Sequence, residues 1–290
     1  MAEMPQSDLD LTLPPFDQLK GVRRLAANRR GAASDHARHH LFAAQEKRSG
    51  AGVLIKLTSK PGLVYQQNLS NEIASLSTIN RELPQSPYFP VVKAHGGLRD
   101  GRAYLITSLF DELPLATTIG PERRPDKMVS HLRTTIEVAN ALVELHGVPI
   151  YHVDLNPMNI LHRTDRGRPI IRIVDFESSY DRSRHAAGVF YDPPTTPGYS
   201  APELTRQAPD ARADLFSLGA VLYTLIAGFG WTWESEIGAA VDADTELDAD
   251  LKPIIATAVH PDPGKRQPSV DAFRSELRSY LEGIWPGRAW

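Results

Sequence analysis

The sequence predicts an α+β fold of two lobes, a small β-rich one followed by a larger helical one. Three observations carry this. Up to about Phe110 the apolar residues fall in short runs separated by turn signals. Beyond Leu113 they recur at helical spacing over longer stretches. The chain has 290 residues, 41% hydrophobic and 23% charged, which is long enough and apolar enough for two modest lobes.

Residues 1–18 are proline-bearing and acidic and read as a loose leader. From Gly21 to Ser59 strands alternate with turns, and Ala43 to Lys56 reads as strand, polar turn and a β-branched strand ending on Lys56. Leu69, Ile73, Leu76 and Ile79 predict a helix over 68–81. Tyr88 to His95 and Arg102 to Phe110 read as two further strands around the turn Gly96–Gly101. Lys127 to His146 is one amphipathic helix with Leu132, Ile136, Ala139, Leu142 and Leu145 on one face. Asp214 to Ala227 is nearly all apolar and should be central. Leu251–Val259 and Val270–Leu281 are further helices.

Composition excludes several function classes. A net charge of −3 argues against a general nucleic-acid binder. With no cysteine, disulfides, thiolate catalysis and cysteine-based zinc sites are ruled out, which fits a cytoplasmic setting. The start of the chain lacks the basic and apolar regions of a secretory signal. The longest apolar run, Phe216 to Trp231, falls short of the ~18 residues a membrane span needs. No membrane or nucleic-acid partner is therefore expected. His36, His39 and His40 read as a polar strand or turn rather than a metal site, since no carboxylate cage accompanies them.

The chemistry is concentrated in His152-Val153-Asp154-Leu155-Asn156-Pro157-Met158-Asn159 and in Asp175-Phe176-Glu177 downstream. Asp154 can accept a hydrogen bond from an attacking hydroxyl. Asn159 can hold Mg²⁺ through its amide oxygen, and Asp175 can bridge Mg²⁺ to phosphates.

These strings resemble the catalytic loop and metal-binding triplet of the eukaryotic-like serine/threonine protein kinases, and the resemblance runs from about Gly21 to Leu281. It implies a bilobal kinase-like domain over 19–284, divided near residue 110, with a tail over 285–290. It implies ATP between the lobes with Mg²⁺ or Mn²⁺, and Thr107, Ser108, Leu109 and Phe110 as the hinge. Lys56 would steady the α- and β-phosphates, with Glu72 as its partner. Thr196 and Asn156 would lie at the acceptor site. Thr195-Thr196-Pro197-Gly198-Tyr199-Ser200-Ala201-Pro202-Glu203 resembles the end of an activation segment. Glu203 would pair with Arg266, and Asp214 would anchor the catalytic-loop backbone.

The chain departs from the family at four places. Residues 25–35 carry one glycine where a phosphate-covering loop has several, leaving Arg29, Arg30 or Ser34 as possible contacts. Val153 replaces the arginine that commonly reads a phosphate, which implies activation without loop phosphorylation. Asn156 replaces a lysine and Glu177 a glycine, as in choline and aminoglycoside kinases. The reading is a kinase acting on serine or threonine hydroxyls of proteins, with a regulatory partner possible. The alternatives are a small-molecule kinase and a catalytically weak pseudokinase serving as a binding module.

Overall fold

A computed structural model of the chain describes residues 9–25, 38–121, 123–186, 188, 191, 193, 196–228 and 236–286. Two compact units result, one from Met1–Arg81 with Pro90–Asp111 and the other from Glu82–Phe89 with Glu112–Trp290.

The first unit is an antiparallel sheet with one helix. Strands β1 (Leu19–Arg24), β2 (His39–Glu46), β3 (Gly52–Thr58), β4 (Val92–Gly97) and β5 (Ala103–Ser108) run in the order β1-β2-β3-β5-β4. Helix α1 spans Leu63–Glu82 and starts five residues before the expected position. The period of two in β3 sorts its side chains between faces. Val53, Ile55 and Leu57 point one way into a cluster with Phe42, Ala44, Tyr104 and Ile106. Lys56 points the other way, where α1 brings Glu72.

The apolar side of that sheet is covered by residues between Leu9 and Leu19, which corrects the expectation of a loose leader for residues 9–18. Phe16 is 2% exposed and meets the Tyr104 ring edge-on at 4.9 Å. Leu19 joins the same cluster. Burying a phenylalanine contributes about 1.5–3 kcal/mol, sufficient to pin a short segment against a sheet. The strand expected from Tyr88 begins only at Val92. Pro87 and Pro90 supply no N–H to a ladder, and Tyr88 is engaged in the second unit. Its carbonyl accepts from Ile173 N at 2.9 Å and its hydroxyl donates to Glu137 at 2.7 Å.

The second unit is mainly helical. Its short strands are β6 (Leu113–Pro114), β7 (Ile150–Tyr151), β8 (Ile160–Asp165), β9 (Arg168–Ile173) and β10 (Tyr180–Asp181). Its helices are α2 (Met128–His146), α3 (Arg182–Ala186), α4 (Ala211–Ala227), α5 (Ile237–Ala243), α6 (Leu251–Ala258) and α7 (Val270–Ile284). The α2 stripe read from sequence is buried along its length, and α4 is buried from Ala213 to Ile226, as its all-apolar composition requires. A β-carbon on Gly219 of α4 would lie 2.8 Å from the Ala258 β-carbon, so glycine there permits the close approach of α4 and α6. Asp210 caps α4 and Ser269 caps α7, each accepting a backbone N–H of the first turn. Among the described residues, no helix is long and apolar enough to cross a membrane. Trp285, expected in a tail, lies beneath Arg133, whose guanidinium carbon is 5.3 Å from the ring centre.

Candidate active site

The 152–159 loop hangs from one buried carboxylate. Asp214 is fully buried near the start of α4. It accepts the backbone N–H of His152 at 2.9 Å and of Val153 at 2.6 Å, and the His146 ring at 2.8 Å. Burial alone would raise its pKa. The His146 hydrogen bond and charge, with the Val153 amide, outweigh that and hold it below the ordinary value. This bridge supports a costly backbone. Val153 has φ 68°, a left-handed conformation that a β-branched residue adopts at a cost of about 1–3 kcal/mol. Its side chain is fully buried.

His152 packs beneath the loop. Its Nε2 lies 3.0 Å from the carbonyl of Val174, which can only accept, so the ring donates there. It meets the Phe176 ring at 4.8 Å, and Phe176 in turn meets Phe89 at 6.0 Å.

Asp154 is ringed by polar groups. Thr196 donates its hydroxyl to Asp154 Oδ1 at 2.5 Å. Asn159 donates its amide to the Asp154 carbonyl at 2.9 Å and approaches Oδ2 at 3.4 Å. Spending the amide nitrogen on Asp154 leaves oxygen as the atom Asn159 can offer to a cation. Burial raises the Asp154 pKa, and the charge of Asp175 adds to this, while Thr196 and His152 work in the opposite direction. Asp175 also has a left-handed backbone, φ 68°. An amide oxygen and a carboxylate are the hard donors that Mg²⁺ takes, so Asn159 and Asp175 fit that ion by chemistry.

Asn156 departs from the acceptor-site expectation. Its amide nitrogen donates to the Asp154 carbonyl at 3.0 Å, and its oxygen accepts the Met158 N–H at 2.9 Å. With both ends engaged and the side chain buried, it braces the loop rather than reaching outward.

In the first unit, Lys56 Nζ lies 2.6 Å from Glu72 Oε2, with side-chain exposures of 12% and 5%. Thr107 and Ser108 end β5, and Leu109 donates its N–H to Gly52 O at 3.0 Å, with Phe110 following. His39 and His40 lie in the paired strand β2. Arg29, Arg30, Ser34 and His36 fall outside the described residues.

Glu203 and Arg266 meet as two parallel hydrogen bonds, 2.6 and 2.8 Å. Of the residues between Asp175 and Glu203 that carry hydroxyls, Ser179 is fully buried and donates to Phe176 O, which removes it as a phosphate acceptor. The sequence reading missed a cluster of rings. Tyr180 of β10 stacks on Tyr151 of β7, and His185 and Tyr191 gather around it. A surplus of aromatic residues near the loop was the available signal, but no spacing rule identifies partners 29 residues apart.

Residues 42–276 match the protein kinase domain family. The chain is 30% identical over 198 residues to serine/threonine-protein kinase Pkn1 of Myxococcus xanthus, covering 62% of this chain and 28% of that protein. It is 28% identical over 247 residues to serine/threonine-protein kinase ATG1a of Arabidopsis thaliana, covering 82% and 36%. It thus spans well under two thirds of these curated relatives. Among solved structures, a cysteine-to-alanine mutant of the PknI kinase domain of Mycobacterium tuberculosis superposes with a TM-score of 0.64 at 20% identity, covering 96% of this chain and 99% of that one. The chain belongs to the protein kinase family, whose members use ATP and a divalent metal.

Proposed function

We propose that this chain transfers the γ-phosphoryl group of MgATP to serine or threonine hydroxyls of proteins. The observation that carries the reading is the 2.5 Å hydrogen bond from the Thr196 hydroxyl to Asp154 Oδ1. An aliphatic hydroxyl already reaches the carboxylate that must orient one. Asp154 would accept the hydrogen bond of the acceptor hydroxyl and then its proton. Its raised pKa makes it a better proton acceptor than an ordinary aspartate. Thr196 lines the same oxygen and Asn156 keeps the loop in shape. Asn159 and Asp175 would hold Mg²⁺, which when bound neutralises charge on the phosphates. Lys56, steadied by Glu72, would position the α- and β-phosphates, and residues 107–110 would receive the adenine. Asp214 and the Glu203–Arg266 pair support the scaffold.

The names of relatives favour protein acceptors, since Pkn1 and ATG1a are both called serine/threonine-protein kinases. Calcium/calmodulin-dependent protein kinase type 1B of Rattus norvegicus, 31% identical over 198 residues, points the same way. Absence of cysteine suits a reducing cytoplasm, which is the location we favour.

The test is incubation of wild type and Asp154→Asn with γ-labelled ATP, Mg²⁺ and a generic basic protein. Wild type should label protein, while the variant should lose about 10²–10⁴-fold in turnover, on the order of a lost general base, with ATP affinity within about threefold. Equal labelling by both would remove Asp154 from the chemistry. No labelling of protein by wild type would defeat the proposal.

A further inference from the structure

The strand leading into the catalytic loop and the strand that follows Asp175-Phe176-Glu177 meet through a cluster of rings. Strand β10 pairs antiparallel with β7 so that Tyr180 lies opposite Tyr151. The two rings are parallel within 5° at 6.5 Å. Tyr180 also stacks on His185 at 4.7 Å and receives the Tyr191 ring edge-on at 5.0 Å. Tyr191 closes the group against His185 at 5.2 Å. These are the offset and edge geometries that aromatic pairs prefer.

Each end of the cluster is tied to something with a function. On the loop side, Tyr151 meets His146 edge-on at 5.5 Å, and His146 bonds Asp214, which holds His152 and Val153. The Arg182 guanidinium sits 5.5 Å from the centre of the Tyr151 ring. On the segment side, Asp181 Oδ1 accepts the N–H groups of Ser183 and Arg184 at the start of α3. His185 Nδ1 accepts the Asp181 N–H at 3.0 Å, so that nitrogen carries no proton and the ring stacks as a neutral one. Tyr191 lies five residues before Thr196, and five residues of chain reach at most about 18 Å. Fixing Tyr191 therefore limits how far Thr196 can lie from the ring cluster. Val153, buried and apolar beside Asp154, offers no charge to a phosphate.

We infer that Tyr180, with Tyr151, His185 and Tyr191, is a positioning device that keeps Thr196 on Asp154 and lets the segment order without a phosphate group. This deepens the proposed kinase activity and rests on it for its catalytic consequence. The ordering itself is readable without catalysis. Tyr180 touches no reacting atom and acts through Thr196.

The experiment compares wild type, Tyr180→Ala, Tyr180→Phe and phosphatase-treated wild type. Two readouts are taken, steady-state kinetics on a basic protein and hydrogen exchange of the amides of Arg182 to Ala186 and Thr196 to Ala201. Tyr180→Ala should lower kcat at least tenfold with the KM for ATP within twofold, and those amides should exchange at least tenfold faster. Tyr180→Phe should restore both, because the ring does the work. Phosphatase treatment should change neither. Wild-type exchange in Tyr180→Ala would overturn the inference. So would loss of order or rate on phosphatase treatment. If wild type transfers no phosphate, the proposed function falls while exchange still decides the role of the stack. If Tyr180→Ala does not fold, Tyr191→Ala takes its place with the same expectations.

Discussion

Replacing Arg266 by methionine should unfold the second unit at far lower denaturant, by an amount that the contacts define. The side chain carries five N–H donors, and all are engaged. Nε donates to His260 O at 2.7 Å, and Nη1 to Glu203 Oε1 at 2.6 Å and to Arg212 O at 2.8 Å. Nη2 donates to Glu203 Oε2 at 2.8 Å and to Pro261 O at 3.4 Å. The guanidinium also lies 4.8 Å from the centre of the Phe216 ring. Methionine keeps the stem's packing and removes the charge, so Glu203, 9% exposed, is left buried with its partner gone. Stranding one member of a buried pair costs about 3–5 kcal/mol. For a unit of this size that is a drop of about 6–20 °C in Tm, at roughly 2–4 °C per kcal/mol. The control is a cycle with Glu203→Leu, in which the double variant has no charge left to strand. It should recover about 1–3 kcal/mol relative to the sum of the single variants. Urea unfolding followed by circular dichroism measures all four proteins. A single-variant loss under about 1 kcal/mol, or strict additivity in the cycle, would refute the buried-pair reasoning.

Three other outcomes are expected. Asp214→Asn offers one acceptor oxygen where two backbone N–H groups now each meet a carboxylate oxygen, so one N–H is orphaned. Stability should fall by about 1–3 kcal/mol and turnover should fall with it, measured by denaturation and steady-state rate. Because burial raises the Asp154 pKa, and the base must be ionised to act, the rate should fail on acidification at a pH above the ordinary aspartate range. The Thr196 hydrogen bond opposes that shift, so Thr196→Val should move the acid limb of the pH–rate profile to higher pH, and a limb moving lower would contradict it. Phe16→Ala empties a buried position against Tyr104 and should cost the first unit about 3–5 kcal/mol, whereas a loose leader would cost nothing.

Much of the candidate site was legible because its chemistry is local. Asp154, Asn156 and Asn159 sit within six residues, and few residue types can accept a proton, hold a cation and close a tight loop there. The stripe on α2 and the uniform apolarity of α4 gave their burial directly, since a face at 3.6-residue spacing has to be covered. Phe16 was misread because proline and acidic neighbours describe a segment's own preferences, whereas its partner Tyr104 lies 88 positions away. Asn156 was placed at the acceptor by position alone, and its two short hydrogen bonds inside the loop became visible only with the loop's conformation.

The sequence alone determined the family, the order of its motifs and the candidate residues for the site. Those follow from residue type and short spacing, which the chain carries whatever its tertiary arrangement. Only the tertiary structure decided that Val153 is held in a left-handed conformation by Asp214, 61 positions away, and that Thr196 reaches Asp154 across 42 residues. It also decided that Tyr180 seals the two segments with rings. Each of these is a contact whose energy exists only once a long loop has closed, and no local preference encodes where such a loop will close.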